Sequence, residues 1–431
     1  MKKFGFIRLL SLWFMTFLIF NAGKGTSQEQ PVRLEDLIQE VLQNNPQLKA
    51  ARYQTDAAKA QIRQVKAWEP PQVGMEFYQT PIRSFPNPIN KGMETDYFVQ
   101  QMFSFPGKLS NMGRAAENNA NMINQGYKAL EKKIIRDLKT TYYELYHIQR
   151  EIEINTENQN LMRRFVGIAL KQYEVGMGKQ VDILRAQTEL STLINEGINL
   201  QKERRVTESM INTILSRKVD TPLGSVPDVE VKIPQWTFEQ LSALVLETRP
   251  ELKSMTFNIA MNKSELALSK REFYPDFMGR VMYKDMKMTG NDFWSAMVGI
   301  NVPLAFWSKG KYKGKVDENE LNVKRAEEEY SNMKNMILFE VQDALIKMQT
   351  NQNLMQLYKN TVVLQAEQTL QSTIAAYQTG KTEFLMLIDA YRMLLMLKLD
   401  YHMAIVNYMV SQAALEQSIG INIEEISEKI H

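Results

Sequence analysis

The sequence contains no cysteine. That excludes disulfides, thiolate metal sites and thiol nucleophiles together. It also excludes a lipidated N-terminal cysteine, so any membrane attachment has to come from the fold. Histidine is scarce: His147, His402 and the terminal His431 lack the spacing of a zinc site. Proline is missing from 107–221 and from 304–431, and glycine from 315–379. No charge of one sign dominates, since the net charge is +3, which argues against a nucleic-acid partner. Beyond the N-terminus no run approaches the roughly 20 apolar residues of a spanning helix. Gly-rich phosphate loops, nucleophile elbows and paired catalytic motifs are missing too. The expectation is a non-enzyme with no cofactor and no resident metal.

The N-terminus opens with Lys2, Lys3 and Arg8, continues through apolar Leu9–Phe20, and reaches the small residues Ala22, Gly23, Gly25 and Ser27. The apolar core is too short to span a bilayer, and the pattern predicts a cleaved secretory signal over 1–27.

The remainder is written twice. Leu34, Leu37, Val41, Leu42, Pro46, Leu48 and Lys49 recur 204 positions later as Phe238, Leu241, Val245, Leu246, Pro250, Leu252 and Lys253. The same offset carries Pro71 onto Pro275, Tyr173 onto Tyr377, Gly176 onto Gly380 and Ala186 onto Ala390. Copies this long are not solenoid units; they suggest pseudo-symmetric halves of one structure. The first copy is placed at 28–217 and the second at 238–431, with an equatorial linker at 218–237.

Freedom from proline marks long helices: 109–174 with a return helix at 180–217, then 310–378 with a return at 382–420. An opening helix is expected over 34–69. Val316, Val323, Tyr330, Ile337 and Ala344 recur by sevens, the spacing of a coiled-coil seam. At 1.5 Å per residue the long helices reach about 100 Å, matched by two shorter helices laid end to end. Between the helical parts, aromatic and β-branched residues at 72–80, 96–104, 276–284 and 293–303 read as strands of membrane-spanning length. Val73, Met75 and Phe77 share one face, and Trp294, Ala296, Val298, Ile300 and Val302 another. Four strands cannot close a barrel, and lipid forbids an open edge. Strands that span a membrane here therefore require oligomerisation, and three copies give twelve strands. The competing reading is two soluble hairpins packed on helices.

The paired tips, Tyr173-Glu-Val-Gly-Met with Val181-Asp-Ile-Leu, and Tyr377-Gln-Thr-Gly with Leu385–Ala390, resemble the outer membrane factors of the TolC family. The strand-to-helix entry Gln101-Met-Phe-Ser-Phe-Pro-Gly-Lys108 and the segments around Pro46 and Pro250 are similar to that family as well. Within it, Phe103–Lys108 looks most like members paired with heavy-metal-exporting pumps of the resistance-nodulation-division class. The resemblance covers about residues 34–420. It implies a mainly α fold with a membrane β-barrel portion, duplicated, whose homotrimer forms a 12-stranded barrel and an α-helical tunnel. It further implies an outer-membrane location in a Gram-negative cell, contact with outer-membrane lipid, and docking to a periplasmic adaptor and an inner-membrane pump.

A gate at the helix tips is implied, with Asp389 and Asp182 at matching helix starts and Arg185 and Arg392 as charge partners. Docking residues are expected at Val175, Gly176 and Met177 and at Thr379, Gly380 and Lys381. Local stabilisation of carboxylates by helix N-termini, and ordinary glycine turn chemistry, explain the same residues without a gate or partner. The 26 methionines read mainly as seam filler, although Met282, Met286 and Met288 gather near the second outer loop. Two alternatives stand beside efflux: a type I secretion duct, and a soluble periplasmic coiled-coil scaffold or adaptor.

Overall fold

The computed structural model describes residues 31–85, 92–229, 231, 233–287, 290–303 and 307–430. The expected signal peptide, residues 86–91 between the first two expected strands, Met288 and His431 lie outside the described residues.

Two helices, α1 (Leu34–Asn44) and α2 (Pro46–Lys66), replace the single opening helix expected over 34–69. A residue before proline is pushed out of the helical region, and Asn45 sits at φ −62°, ψ 122°. Its buried side chain holds the break. Oδ1 accepts from the N–H groups of Gln47 (2.9 Å) and Leu48 (3.2 Å), and Nδ2 donates to the Ile214 carbonyl (2.9 Å). The second copy breaks at Arg249, between α5 (Phe238–Thr248) and α6 (Pro250–Arg271). There the buried guanidinium pairs with Glu251 at 2.7 Å and Glu340 at 3.1 Å.

Strands β1 (Gln72–Tyr78), β2 (Glu94–Phe103), β3 (Asp276–Met286) and β4 (Phe293–Asn301) form one antiparallel meander in chain order. The β2–β3 pairing joins the two copies, and β1 and β4 are left as edges. Register puts Val73, Val99, Val281 and Ala296 in one row, and Met75, Tyr97, Tyr283 and Trp294 in the next row of the same face. Most of that face is exposed, with Val73 at 77%, Trp294 at 78% and Val298 at 84%, whereas Thr95 on it is buried. The opposite face carries Glu76, Asp96 and Lys284 in a single row.

Where the sheet meets the helices, Gly107 turns at φ +91°, and a Cβ there would stand 2.6 Å from the Arg271 guanidinium. Asp276 Oδ1 accepts from the Phe105 N–H (2.7 Å) and the Lys108 ammonium (2.9 Å), and Phe105 stacks on Tyr274. The Phe-Pro-Gly-Lys phrase therefore builds a joint between strand and helix.

From that joint α3 (Lys108–Glu174) runs for 67 residues, about 100 Å. It is followed by α4 (Gln180–Leu215). In the second copy the long helix expected over 310–378 is α7 (Lys309–Leu357), a π-helical turn (Tyr358–Val362) and α8 (Val363–Gln378). Between copies the start is displaced by 201 positions and the tip by 204, so the second path holds three more residues. A π turn fits more residues into each turn and takes up part of that surplus. Helix α9 (Phe384–Ile419) returns, and Gly420 at φ +87° turns the chain into α10 (Ile423–Ile430).

The helices form a slab. Near the sheet the order is α2, α3, α6, α7; toward the tips it is α4, α3, α9, α8. At the waist, Val41, Leu138, Leu215, Leu241, Val341 and Tyr408 join six elements in one core. Leu223, Val226 and Trp236 of the 218–237 segment are buried in it, so that segment is a packed strap. Among the described residues no helix is long and apolar enough to cross a membrane. The membrane-facing candidate is the sheet.

Candidate functional site

The tips are two copies of one turn. Gly176 (φ +75°) and Gly380 (φ +70°) each follow a helix end, a left-handed position suited to glycine. The Gly176 N–H donates to the Tyr173 carbonyl (3.0 Å) and the Met177 N–H to that of Gln172 (2.9 Å). Gly380 and Lys381 repeat this with Tyr377 (3.0 Å) and Ala376 (2.9 Å). This is the Schellman arrangement, which satisfies the last carbonyls of each helix without a partner. Val175, Met177, Thr379 and Lys381 remain exposed around it.

The two tips are tied side by side. Gln172 Nε2 donates to the Gln378 carbonyl at 2.8 Å, and Lys179 lies 3.8 Å from Glu383. Beneath them Phe165 meets Tyr391 edge-on at 6.0 Å, and Tyr377 packs on Phe384 at 5.4 Å. These rings belong to a second core with Met162, Leu193, Leu370 and Leu387, separate from the waist.

The four gate candidates are placed unequally. Asp182 is the third residue of α4 and is buried at 9%. Its N–H donates to the Lys179 carbonyl, as that of Met386 does to Glu383. Asp182 therefore corresponds to Met386, whereas Asp389 is the sixth residue of α9 and corresponds to Arg185. The expectation that the two aspartates occupy matching helix starts is corrected: the N-terminal field fades within the first turn, so it does not account for Asp389. Asp389 and Arg185 are both exposed, giving the two hairpins opposite charge at one helical position. Asp182 lies inside the tip. The Tyr377 hydroxyl is pushed up to about 12, first by burial and then by the Asp182 charge.

The charge pair at this level involves a residue that sequence reasoning did not single out. Arg392 Nη2 and Nε meet the Glu189 carboxylate at 2.6 and 3.1 Å, linking α9 to α4. The hydrogen bond to Glu189 raises the guanidinium above its ordinary value.

A second polar constellation escaped the sequence reading. On the charged face of the sheet, Arg280 meets Glu76 at 2.6 Å and covers the Phe98 ring at 3.8 Å. Lys284 meets Glu94 at 2.7 Å and Asp96 at 3.0 Å. Glu76 and Arg280 are themselves 204 positions apart, so the duplication offset held the signal. Among the described residues no group of three or more histidines, aspartates or glutamates is placed to hold a metal ion.

The sequence profile described as outer membrane efflux protein matches residues 37–216 and 241–421. The cation efflux system protein CusC of Escherichia coli O157:H7 is 20% identical over 384 residues, 84% of this chain and 80% of that protein. The toxin and drug export protein A of Aggregatibacter actinomycetemcomitans is 20% identical over 52% of this chain and 50% of its own. Among solved structures, that of CusC superposes with a TM-score of 0.79 at 18% identity, covering 92% of this chain and 94% of that one. The outer membrane protein VceC of Vibrio cholerae superposes with a TM-score of 0.77 at 18% identity, covering 91% of this chain and 97% of its own.

Proposed function

The chain belongs to the outer membrane efflux protein family, and from that premise we propose that it is the passive exit duct of a tripartite efflux system, working as a homotrimer. The observation that carries this reading is the open four-stranded sheet, apolar on one face and charged on the other, mounted on a helical slab about 100 Å long. An apolar outside and a polar inside is what a membrane barrel with a wet lumen requires. Three copies close the two free edges, satisfying the backbone groups that lipid would leave unpaired.

The duct conducts and does no chemistry. The inner-membrane pump, of the resistance-nodulation-division class, supplies the energy, and a periplasmic adaptor bridges to the tips. Val175, Gly176, Met177, Thr379, Gly380 and Lys381 form the docking surface, because the glycine turns are internally satisfied and the side chains of Val175, Met177, Thr379 and Lys381 are exposed around them. Asp389, brought together three times, forms the acidic ring of the gate, and the Arg392–Glu189 pair holds the two hairpins in the closed arrangement. Metal cations or drugs are the exported class, in line with the names of the relatives. An N-terminal signal peptide directs export.

Planar-bilayer conductance of the purified protein, with its oligomer mass measured in detergent, tests the reading. A trimer with small, cation-selective, gated currents is expected. A non-conducting monomer would return the sheet to a periplasmic scaffold.

A further inference from the structure

The foot of the sheet, where strands meet helices, carries positive charge that the protomer itself does not use. Residues 307–315, Trp-Ser-Lys-Gly-Lys-Tyr-Lys-Gly-Lys, hold four lysines and no acid. They open α7, where the positive end of the helix dipole disfavours cations, so helix chemistry does not account for them. Phe273 packs on Tyr312 at 5.8 Å, which sets this first turn level with the foot of β3 and points Tyr312 toward the end of α6. Residues two apart on a helix are separated by about 200°. Lys309 and Lys313 therefore lie on one face of the slab, and Lys311 and Lys315 on the other. Lys315 meets Glu318 at 3.1 Å, and Lys311 stands 5.9 Å from the Tyr312 ring. Lys309 and Lys313 are exposed and meet no carboxylate among the described residues.

Between the two lysine pairs, Gly310 and Gly314 face away from α6. A Cβ on either would touch nothing within 4 Å, so packing inside the protomer does not demand glycine there. Gly314 lies close to two helical turns before the exposed Leu321 and shares its flank of α7. In the trimer proposed above, β4 pairs with a neighbour's β1, and this flank meets the end of the neighbour's α2. That end adds Arg63, which is exposed and meets no carboxylate among the described residues, and Lys66, whose reach to Glu117 is 4.0 Å. Cations from both protomers then surround a floor of two glycines, and like charges so placed need an anion between them. Beside this place the outward row Phe103, Phe277 and Ile300 is exposed, and Trp68 meets Phe103 edge-on at 5.3 Å. Exposed aromatics at the end of a spanning strand mark a membrane–water interface.

We propose that the foot of each seam holds an anionic phospholipid of the leaflet on the helix side, its phosphate among Lys309, Lys313 and the neighbour's Arg63. Its acyl chains run along the outward face past Trp68 and Ile300. The inference rests on the trimeric channel reading and adds a partner to it. Lysine suits the place because its stem lies along apolar surface while the ammonium reaches the phosphate. Basic clusters beside a membrane attract anionic headgroups charge by charge. The other end of the sheet shows no such surplus, since Lys284 there is committed to Glu94 and Asp96.

The test measures phosphatidylglycerol binding to the detergent-purified trimer by native mass spectrometry, with phosphatidylcholine of the same chain length as the neutral probe. One phosphatidylglycerol per seam is expected, held roughly tenfold more tightly than phosphatidylcholine. Lys309→Gln/Lys313→Gln is expected to abolish that preference while the protein remains a conducting trimer. The control Lys324→Gln/Lys347→Gln, which removes two exposed charges from the same helix further from the sheet, is expected to keep it. Equal binding of both lipids by the unsubstituted trimer, or an undiminished preference in the Lys309/Lys313 variant, overturns the lipid site and leaves the channel standing. Displacement of the lipid by inorganic phosphate would reduce the site to an anion pocket and overturn it as well. A protein that neither trimerises nor conducts overturns the channel reading and the lipid site with it.

Discussion

At the residue scale, single side chains near the tips are asked to do electrostatic work that their surroundings either permit or prevent. Asp389 is exposed and lies beyond the first turn of its helix, so its charge is available to an ion rather than absorbed by local N–H groups. Asp389→Ala is expected to lower cation selectivity, read as a shift of the bilayer reversal potential under a salt gradient. An unchanged potential would remove the ring. Asp182 is buried beside Tyr377, and its loss is expected to disturb tip packing more than selectivity. His402 offers a pH prediction. Burial depresses its pKa first, helped by the charges of Arg150, His147 and Lys398 and opposed by Asp228. A depressed pKa means that the unfolded chain binds the extra proton more readily. Stability attributable to His402 is therefore intact above the ordinary histidine pKa near 6.5 and declines as pH falls below it. His402→Gln is expected to flatten the fall in melting temperature between roughly pH 7.5 and 5. An identical pH slope in the variant would assign the fall to other groups.

At the element scale, caps and turns decide where helices stop, and this is where reading the sequence succeeded and failed for identifiable reasons. Glycines 204 positions apart located both tips because only a left-handed residue closes that turn without strain. Pro46 was visible, yet the opening helix was expected to run through it. The proline pushes the residue before it out of the helical region, and the contact that holds Asn45 there, to the Ile214 carbonyl 169 positions away, is one that local pattern does not reveal. The π turn was hidden likewise: uninterrupted sevens mask three surplus residues that appear only when the copies are aligned at both ends. The Arg392–Glu189 pair joins return helices of different copies, a proximity that only the packed slab creates. Asn45→Ala removes two accepted hydrogen bonds and one donated one. It is expected to destabilise the fold by about 1–2 kcal/mol, the upper part of the range for a lost N-cap, measured as a lower urea midpoint. Asn45→Asp keeps the cap but orphans the Ile214 carbonyl, and is expected to fall between. If Asn45→Ala left the midpoint unmoved, the break would be fixed by Pro46 alone.

At the scale of the whole molecule, one protomer is incomplete in two ways that a trimer completes together. The sheet ends in the bare edges of β1 and β4, and the slab ends in the flanks of α4 on one side and α7 on the other. Those flanks are greasy: Ile198 is 66% exposed and Val206 63%, while on α7 Phe339 is 72% exposed and Leu321 64%. Apolar surface of this extent on a protein is characteristic of contact sites. The internal duplication says how such flanks meet, because α9 already packs between α8 and α3 within one chain. The α4 helix, the equivalent of α9, packs on α3, and in the proposed trimer its other flank is expected to receive a neighbour's α7 and α8. Burying one isoleucine or phenylalanine contributes about 1.5–3 kcal/mol, and threefold symmetry repeats the seam three times. Ile198→Glu and Phe339→Glu are therefore each expected to shift the detergent-purified protein from trimer to monomer in light scattering, with helix content unchanged by circular dichroism. In the proposed trimer the sheet edges and the helix flanks close together, so the same variants are expected to lose bilayer conductance. A glutamate variant that stays trimeric and conducts would show that its flank faces solvent, and would place the seam on another face of the slab.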